Sequence, residues 1–318
     1  MIELRFGPAD LARVRFARSP MQELVSSVKV LAGPGSVGMH ARWAAEARRR
    51  VVGLRLDMLR ALVRDPGYLP DFLFPPPTGP DTHLDAEVDR VRATTASMVR
   101  AELDRMRGVA PALRRLYDDP ERALGGLVDE LRAYWRAAVE PVWPRLRGLL
   151  DADLQYRAGQ LTSGGVEQML SGLHPRLEYS DEALRIRLRR WNSTSDLRGA
   201  GLVLIPCAFA WPGLVVTKDT RQPMLTYAPR GIGVVWSGTS DVARPLAQLL
   251  GRSRAALLAR LDLPLSTTEL AVYVGLNAPA VSEHLSVLRR AGLVTARRCG
   301  RSVLYQRTAL ATDLLGRA

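Results

Sequence analysis

The spacing of hydrophobic positions changes character twice along the chain. From Pro20 to about Ser171 it is helical: Leu24, Val25, Val28 and Leu31 fall at offsets of one, four and seven, and Trp43, Ala47, Val51, Leu54, Met58 and Leu62 continue in steps of three and four. Leu124, Leu127, Val128, Leu131 and Trp135 repeat the pattern. Amphipathic helices packed on each other are expected, with breaks at Gly33-Pro34-Gly35, between Pro66 and Pro80, at Pro120 and at Ser163-Gly164-Gly165.

From about Glu178 to Ser237 the pattern becomes short β-prone runs between turn residues: Leu184 to Arg189, Leu202 to Ile205, Leu214 to Thr217, Met224 to Tyr227 and Ile232 to Trp236. This spacing predicts an antiparallel meander, with Ile2 to Arg5 and Val14 to Phe16 as possible extra strands. In the first run Leu184, Ile186 and Leu188 alternate with Arg185, Arg187 and Arg189, so one face is buried and the other is wet or meets something anionic. Gly238-Thr239-Ser240-Asp241 reads as a linker. The expected architecture is α+β: a mostly helical N-terminal domain with an antiparallel sheet over 1–240, then a smaller domain over 241–318.

The last seventy residues carry the most specific signals. Ser266-Thr267-Thr268-Glu269 fits a capping box, flanked by Leu265 and Leu270 as a hydrophobic staple. That helix runs to Gly275; Asn277 then caps a second helix, with Pro279 tolerated in its first turn. Two helices joined by Gly275-Leu276-Asn277 make a helix-turn-helix. In the second helix Val281, Leu285 and Leu288 form a core stripe, while Ala278, Ser282, Ser286 and Arg289 lie opposite, small and polar enough to approach base edges in a major groove. Two β-prone runs around Cys299-Gly300 follow, a hairpin that reads as a wing.

Charge sharpens this reading. The 318 residues carry 45 Lys+Arg against 32 Asp+Glu, a net +13, and only Lys29 and Lys218 are lysines. A GC-rich genome would by itself raise the arginine count, so position matters more than count. Residues 249–318 hold ten arginines against four acids, and six of those arginines lie between Leu285 and Thr312 with no acid among them. That stretch suits a phosphate backbone.

The run Leu276-Asn277-Ala278-Pro279-Ala280-Val281-Ser282-Glu283-His284-Leu285-Ser286-Val287-Leu288-Arg289-Arg290-Ala291-Gly292-Leu293-Val294, followed by the arginine-rich hairpin ending Val303-Leu304-Tyr305, resembles the winged helix-turn-helix of ArsR-type bacterial transcriptional regulators. The upstream part resembles the uncharacterised domain that precedes such winged helices in some actinobacterial-type regulators. The resemblance implies a homodimer that reads a palindromic double-stranded operator, usually as a repressor released by an effector; the low cysteine count and the lack of a signal or membrane-spanning run point to a cytoplasmic location. The residues expected at DNA are Thr267, Asn277, Ala278, Pro279, Ala280, Ser282, Glu283, His284, Ser286, Arg289, Arg297, Arg298 and Arg301. His284 reads equally as a phosphate donor or a helix-edge packing residue.

Other signals bound the alternatives. Cys207 and Cys299 cannot form a four-thiolate zinc site, and His40, His83, His174 and His284 show no ligand spacing, so neither metal sensing nor any cofactor is expected. Cys299 beside Arg298 and Arg301 reads as a wing residue or as a redox-sensitive thiol. Gly33-Pro34-Gly35-Ser36-Val37-Gly38 matches G-x-G-x-x-G, but a helix rather than a strand precedes it and Pro34 removes an N–H, so it reads as a helix-helix loop. Trp191, Phe209, Trp211, Tyr227 and Trp236 cluster in the sheet-like segment, as core or as the lining of a small-molecule effector pocket. The longest apolar run, Leu202 to Val216, is broken by two prolines, and neither a secretory signal nor a membrane span is expected. No catalytic constellation stands out; an enzyme or a protein-interaction module fused to a winged helix remains the rival reading.

Overall fold

The structure, a computed structural model, describes residues 1–33, 40–64, 68–106, 110–188, 192–210, 213–217, 222–236, 244–261, 264–274, 276–299 and 302–316. They form two compact units, Met1–Arg230 and Gly231–Ala318. Residues 34–38 of the glycine motif and the linker read at 238–241 lie outside the described residues. Among the described residues no helix is long and apolar enough to cross a membrane.

The first unit is α+β. Its helices include Pro20–Ala32, Ala41–Arg50, Asp57–Val63, Leu84–Arg92, Pro120–Tyr134 and Trp143–Ser171. Pro20–Ala32 starts where its sequence allows: the Ser19 hydroxyl accepts from the Gln22 N–H at 3.1 Å, and Pro20 occupies the first turn, where no N–H is missed. The helical stripes are buried as their spacing predicts, with Leu24, Val25, Leu59, Leu62, Leu127 and Leu131 inside. Each such leucine contributes roughly 1.5–3 kcal/mol by leaving water. The break read at Ser163-Gly164-Gly165 falls inside Trp143–Ser171, where Gly165 takes φ 72°, a conformation that a side chain would resist.

Among the described residues this unit has eight strands: β1 (Ile2–Arg5), β2 (Arg15–Phe16), β3 (Leu177–Ser180), β4 (Ala183–Ile186), β5 (Ser193–Asp196), β6 (Val203–Pro206), β7 (Val215–Thr217) and β8 (Met224–Tyr227). They do not form the expected antiparallel meander. Two four-stranded sheets appear, ordered β3-β4-β1-β5 and β2-β6-β8-β7, and both are mixed. β1 runs antiparallel to β4 but parallel to β5, while β2, β6 and β8 are mutually parallel. The physical reason is visible in β6 and β8, which are buried on both faces, β6 as a continuous apolar run and β8 broken only by Thr226, the mark of a covered parallel sheet. The last expected strand, Ile232 to Trp236, is a short helix, Ile232–Val235; so short an apolar run has no period that separates strand from helix.

On β4 the alternation is as read, and the anionic neighbours are the sheet's own. Glu3 and Glu178 stand opposite Arg185 in register, and Arg185 pairs with Glu3 at 3.4 Å while Arg187 lies 3.9 Å from Glu178. Ile2, Leu4, Leu184 and Ile186 face the other way, into a core shared with Leu204, Leu225 and Tyr227 of the second sheet.

Buried carboxylates join these layers. Glu23 of Pro20–Ala32 is fully buried; one oxygen accepts the Ala208 N–H at 2.7 Å and the other accepts from the Phe209 N–H and the Cys207 thiol, each at 3.2 Å. Glu87 accepts from the Ser19 hydroxyl at 2.5 Å and the Met21 N–H at 2.8 Å, tying Leu84–Arg92 to the start of Pro20–Ala32. Asp153 accepts from the Tyr227 hydroxyl at 2.7 Å and the Arg230 N–H at 3.0 Å and pairs with buried Arg157 at 3.5 Å. Asp10 accepts the N–H groups of Gly7 and Gly201, both at 2.9 Å. Burial raises Glu23 and Glu87 each from 4.5 to about 7, against the opposing pull of their donors.

A carboxyl whose folded value is raised contributes stability that is whole below about pH 4.5 and lost as pH climbs through about 7. Urea unfolding between pH 5 and 8 is therefore expected to show stability falling as pH rises, with a limiting slope of about 1.4 kcal/mol per pH unit for each group. Glu23→Gln should remove one group's share of that slope whatever its constant offset. An unchanged slope would show that Glu23 does not titrate there.

Candidate nucleic-acid interface

In the second unit, Arg252–Arg260, Thr267–Val274 and Ala278–Arg290 pack with a three-stranded sheet ordered β10-β11-β9, where β9 is Leu265–Ser266, β10 Val294–Cys299 and β11 Ser302–Arg307. The stripe read from sequence is its core: Val281, Leu285 and Leu288 are at most 1% exposed and join Leu257, Leu258 and Leu270.

The ends of the helices are closed as the residue types require. Leu276 N–H reaches the Ala271 carbonyl at 3.1 Å, ending Thr267–Val274 with a six-to-one bond. The Asn277 side chain accepts from the Ala280 N–H at 2.9 Å, with Pro279 in the first turn. At the far end Leu293 N–H bonds the Leu288 carbonyl at 3.0 Å and Gly292 takes φ 70°, the left-handed closure that glycine permits. The side chain of Glu269, and with it the capping box, lies outside the described residues.

These caps fix which face is free. Asn277, Pro279, Ser282, Glu283 and Arg289 are exposed, and Ala278, Ala280, His284 and Ser286 are half-buried on the rims of the same helix. Thr267 opens the preceding helix, also half-buried. His284 has Nδ1 turned inward with no hydrogen-bond partner among the described residues, so a contact to an outside acceptor falls to Nε2. Arg290, passed over in the sequence reading, is exposed beside Arg289; both also sit in the last turn, where cations offset the helix dipole.

The hairpin closes on the pair Cys299 and Ser302, so Cys299 is a strand residue rather than part of the turn. β9 reaches only Leu304 and Tyr305, leaving the rest of the ribbon two-stranded. Arg297 and Arg298 are adjacent in β10 and project from opposite faces, both exposed, paired across the ribbon with Leu304 and Val303. Arg301 lies outside the described residues. Arg307, counted in the acid-free stretch, is held by the fold: it donates to Thr312 Oγ1 at 3.1 Å and to the Ala259 carbonyl at 3.4 Å, at the end of Arg252–Arg260. It helps close that helix, and the free arginine strip is shorter than the count suggests.

The aromatic cluster divides differently. Phe209 is buried against Trp43, 4.3 Å between ring centroids, and Tyr227 is buried on Asp153; both rings are core residues of the first unit. Trp236 lies in the second unit, beyond Arg230, and Trp191 and Trp211 lie outside the described residues. Among the described residues no group of three His, Cys, Asp or Glu could hold a metal ion.

Three helices, the last of them capped by Asn277 and carrying a small polar face, and a two-stranded wing define a winged helix-turn-helix. Residues 256–296 match the family described as bacterial regulatory protein, arsR family, and residues 96–231 match a family of unknown function, DUF5937. The chain thus carries an ArsR-family helix-turn-helix domain at its C-terminus, preceded by a DUF5937 domain. Over 67 residues, 21% of this chain, it is 43% identical to the HTH-type transcriptional regulator NmtR of Mycobacterium tuberculosis (strain ATCC 25618 / H37Rv), and the match spans about half, 56%, of that protein. No solved structure matches the chain.

Asn277 is the cap on which the exposed face depends. Asn277→Ala should lower the unfolding free energy by about 1 kcal/mol, and Asn277→Ser should restore most of it. Urea denaturation of the full chain checks this; equal stability of the two variants would remove the cap's role.

Proposed function

We propose that the protein is a cytoplasmic DNA-binding transcriptional regulator of ArsR type, a repressor that binds a palindromic operator as a homodimer and is released by a non-metal small-molecule effector bound in its N-terminal domain. The observation that carries the reading is the exposure of Asn277, Pro279, Ser282 and Glu283 at the start of Ala278–Arg290 beside a wing with Arg297 and Arg298 in the open. Ala278, Ala280 and Ser282 leave room for the helix to approach base edges, while Ser286 and Arg289 lie further along it, and Asn277 and Thr267 sit at helix starts, where N–H groups favour phosphate. A two-stranded ribbon with an arginine on each face suits a groove walled by phosphates on both sides. The match to a transcriptional regulator over the same segment supports the reading.

Arg297→Gln and Arg298→Gln should each weaken binding to specific and nonspecific duplexes alike and reduce the slope of log K against log salt by about 1. Ser282→Glu should abolish sequence preference by placing a charge against the groove. Fluorescence anisotropy from low to high salt on a selected operator and a scrambled duplex reads both. An unchanged slope in the wing variants would sink the wing assignment. A single protein mass on the operator that corresponds to one chain would sink the dimer.

A further inference from the structure

The helices of the first unit enclose a cleft of about 480 Å3, within the range of small-ligand sites. Its floor is apolar: Val28 and Leu31 from Pro20–Ala32 meet Val51 and Leu56 from the turn between Ala41–Arg50 and Asp57–Val63. Its rim is cationic. Arg48, Arg60 and Arg64 line it, all exposed, and among the described residues no lining residue is acidic. Among the described residues Arg48 and Arg64 have no carboxylate partner. Arg60 feels Glu130, but that carboxylate already accepts the N–H groups of Met58 and Leu59, at 3.4 and 2.9 Å.

Arg18, by contrast, pairs with Asp81 and Asp151, Arg132 with Asp85 and Asp89, and Arg185 with Glu3. In a second cleft of about 560 Å3, Asp118 and Asp119 balance Arg115 and Arg122. Val52 stands at the arginine-lined rim with 79% of its surface in water, an apolar group left for an occupant to cover. At the back Tyr134 is closed to the ligand as a polar group, its hydroxyl bonded to Ser27 Oγ at 3.0 Å.

We infer that this cleft binds a small amphipathic carboxylate, a medium-chain acyl acid, with its chain along Leu31, Ala32 and Val52 and its carboxylate on the arginines. The guanidinium fork matches a carboxylate in two parallel hydrogen bonds, and three such forks around one mouth give the site its sign. An uncharged chain of equal length gains only the apolar contact, and a cationic one is repelled. The inference rests on the effector reading above only for its regulatory meaning, because binding here needs no DNA.

Titration calorimetry of the full chain with decanoate, decan-1-ol and decyltrimethylammonium, all below micelle formation, tests it. Decanoate is expected to saturate at one site per chain, with decan-1-ol at least about tenfold weaker and the cation not binding. Arg64→Gln should weaken decanoate by about tenfold and the Arg48→Gln, Arg64→Gln double variant further. Val52→Glu, at an exposed position where folding is not at stake, should weaken it too, while Arg298→Gln should leave it unchanged. Equal affinity for decanoate and decan-1-ol, uptake without saturation, or full affinity in the double variant would each overturn the site. Loss of DNA binding in the anisotropy assay would sink the regulator reading and leave this one standing.

Discussion

A backbone N–H that belongs to no helix or strand ladder must still find an acceptor once it is buried, and the first unit answers this with carboxylates. Ala208 and Phe209 lie after β6, where the chain leaves a sheet buried on both faces, and no strand takes their N–H groups; Glu23 reaches them from a helix 185 residues earlier in sequence. Glu87 does the same for Met21, Asp153 for Arg230 and Asp10 for Gly7 and Gly201. Each acid lies on a different element from at least one of its donors, so satisfying the backbone and fixing the tertiary arrangement are the same event. Removing any one would leave a buried donor bare, at about 1–3 kcal/mol.

The same constraint explains what could be read in the sequence and what could not. Helical stripes such as Leu124, Leu127 and Leu131 were legible because burial on one face imprints a period on consecutive residues. The alternation in β4 was legible for the same reason. The sheet order was not, because β1 pairs with strands some 180 residues later and a register that distant leaves no mark on neighbouring positions. Nor could Glu23 be singled out: in a helix pattern it is simply a polar residue in the first turn, and its burial depends on where Ala208 ends up.

For the winged helix, more was legible because its determinants are local. Asn277, Pro279 and the stripe of Val281, Leu285 and Leu288 all act within a few residues, and each occupies the place its chemistry requires. What failed was the charge count. Arg307 belongs to the same acid-free stretch as Arg298, yet it donates to Ala259 and Thr312 while Arg298 is exposed. The turn reading failed at Cys299, which pairs with Ser302 as a strand residue, because a short turn rule has no register of its own.

Arginine in this chain therefore does three physically distinct jobs, and the net +13 mixes them. Arg157 and Arg307 hydrogen-bond carbonyls inside the fold and are structural whatever the partner. Arg18, Arg132 and Arg185 lie beside carboxylates, and such surface pairs contribute little to stability. The third group, Arg297 and Arg298 on the ribbon and Arg48 and Arg64 at the cleft, has no such neighbour among the described residues, and it is this group that can meet an outside anion. Its two halves differ in what lies beside the charge. The ribbon arginines project into water, so attraction there is counterion release and weakens with salt. The cleft arginines border an apolar floor, so the occupant's chain contributes a share that salt does not screen. The positive charge of the first unit, unexplained by composition, acquires a physical reason only where it adjoins hydrophobic surface.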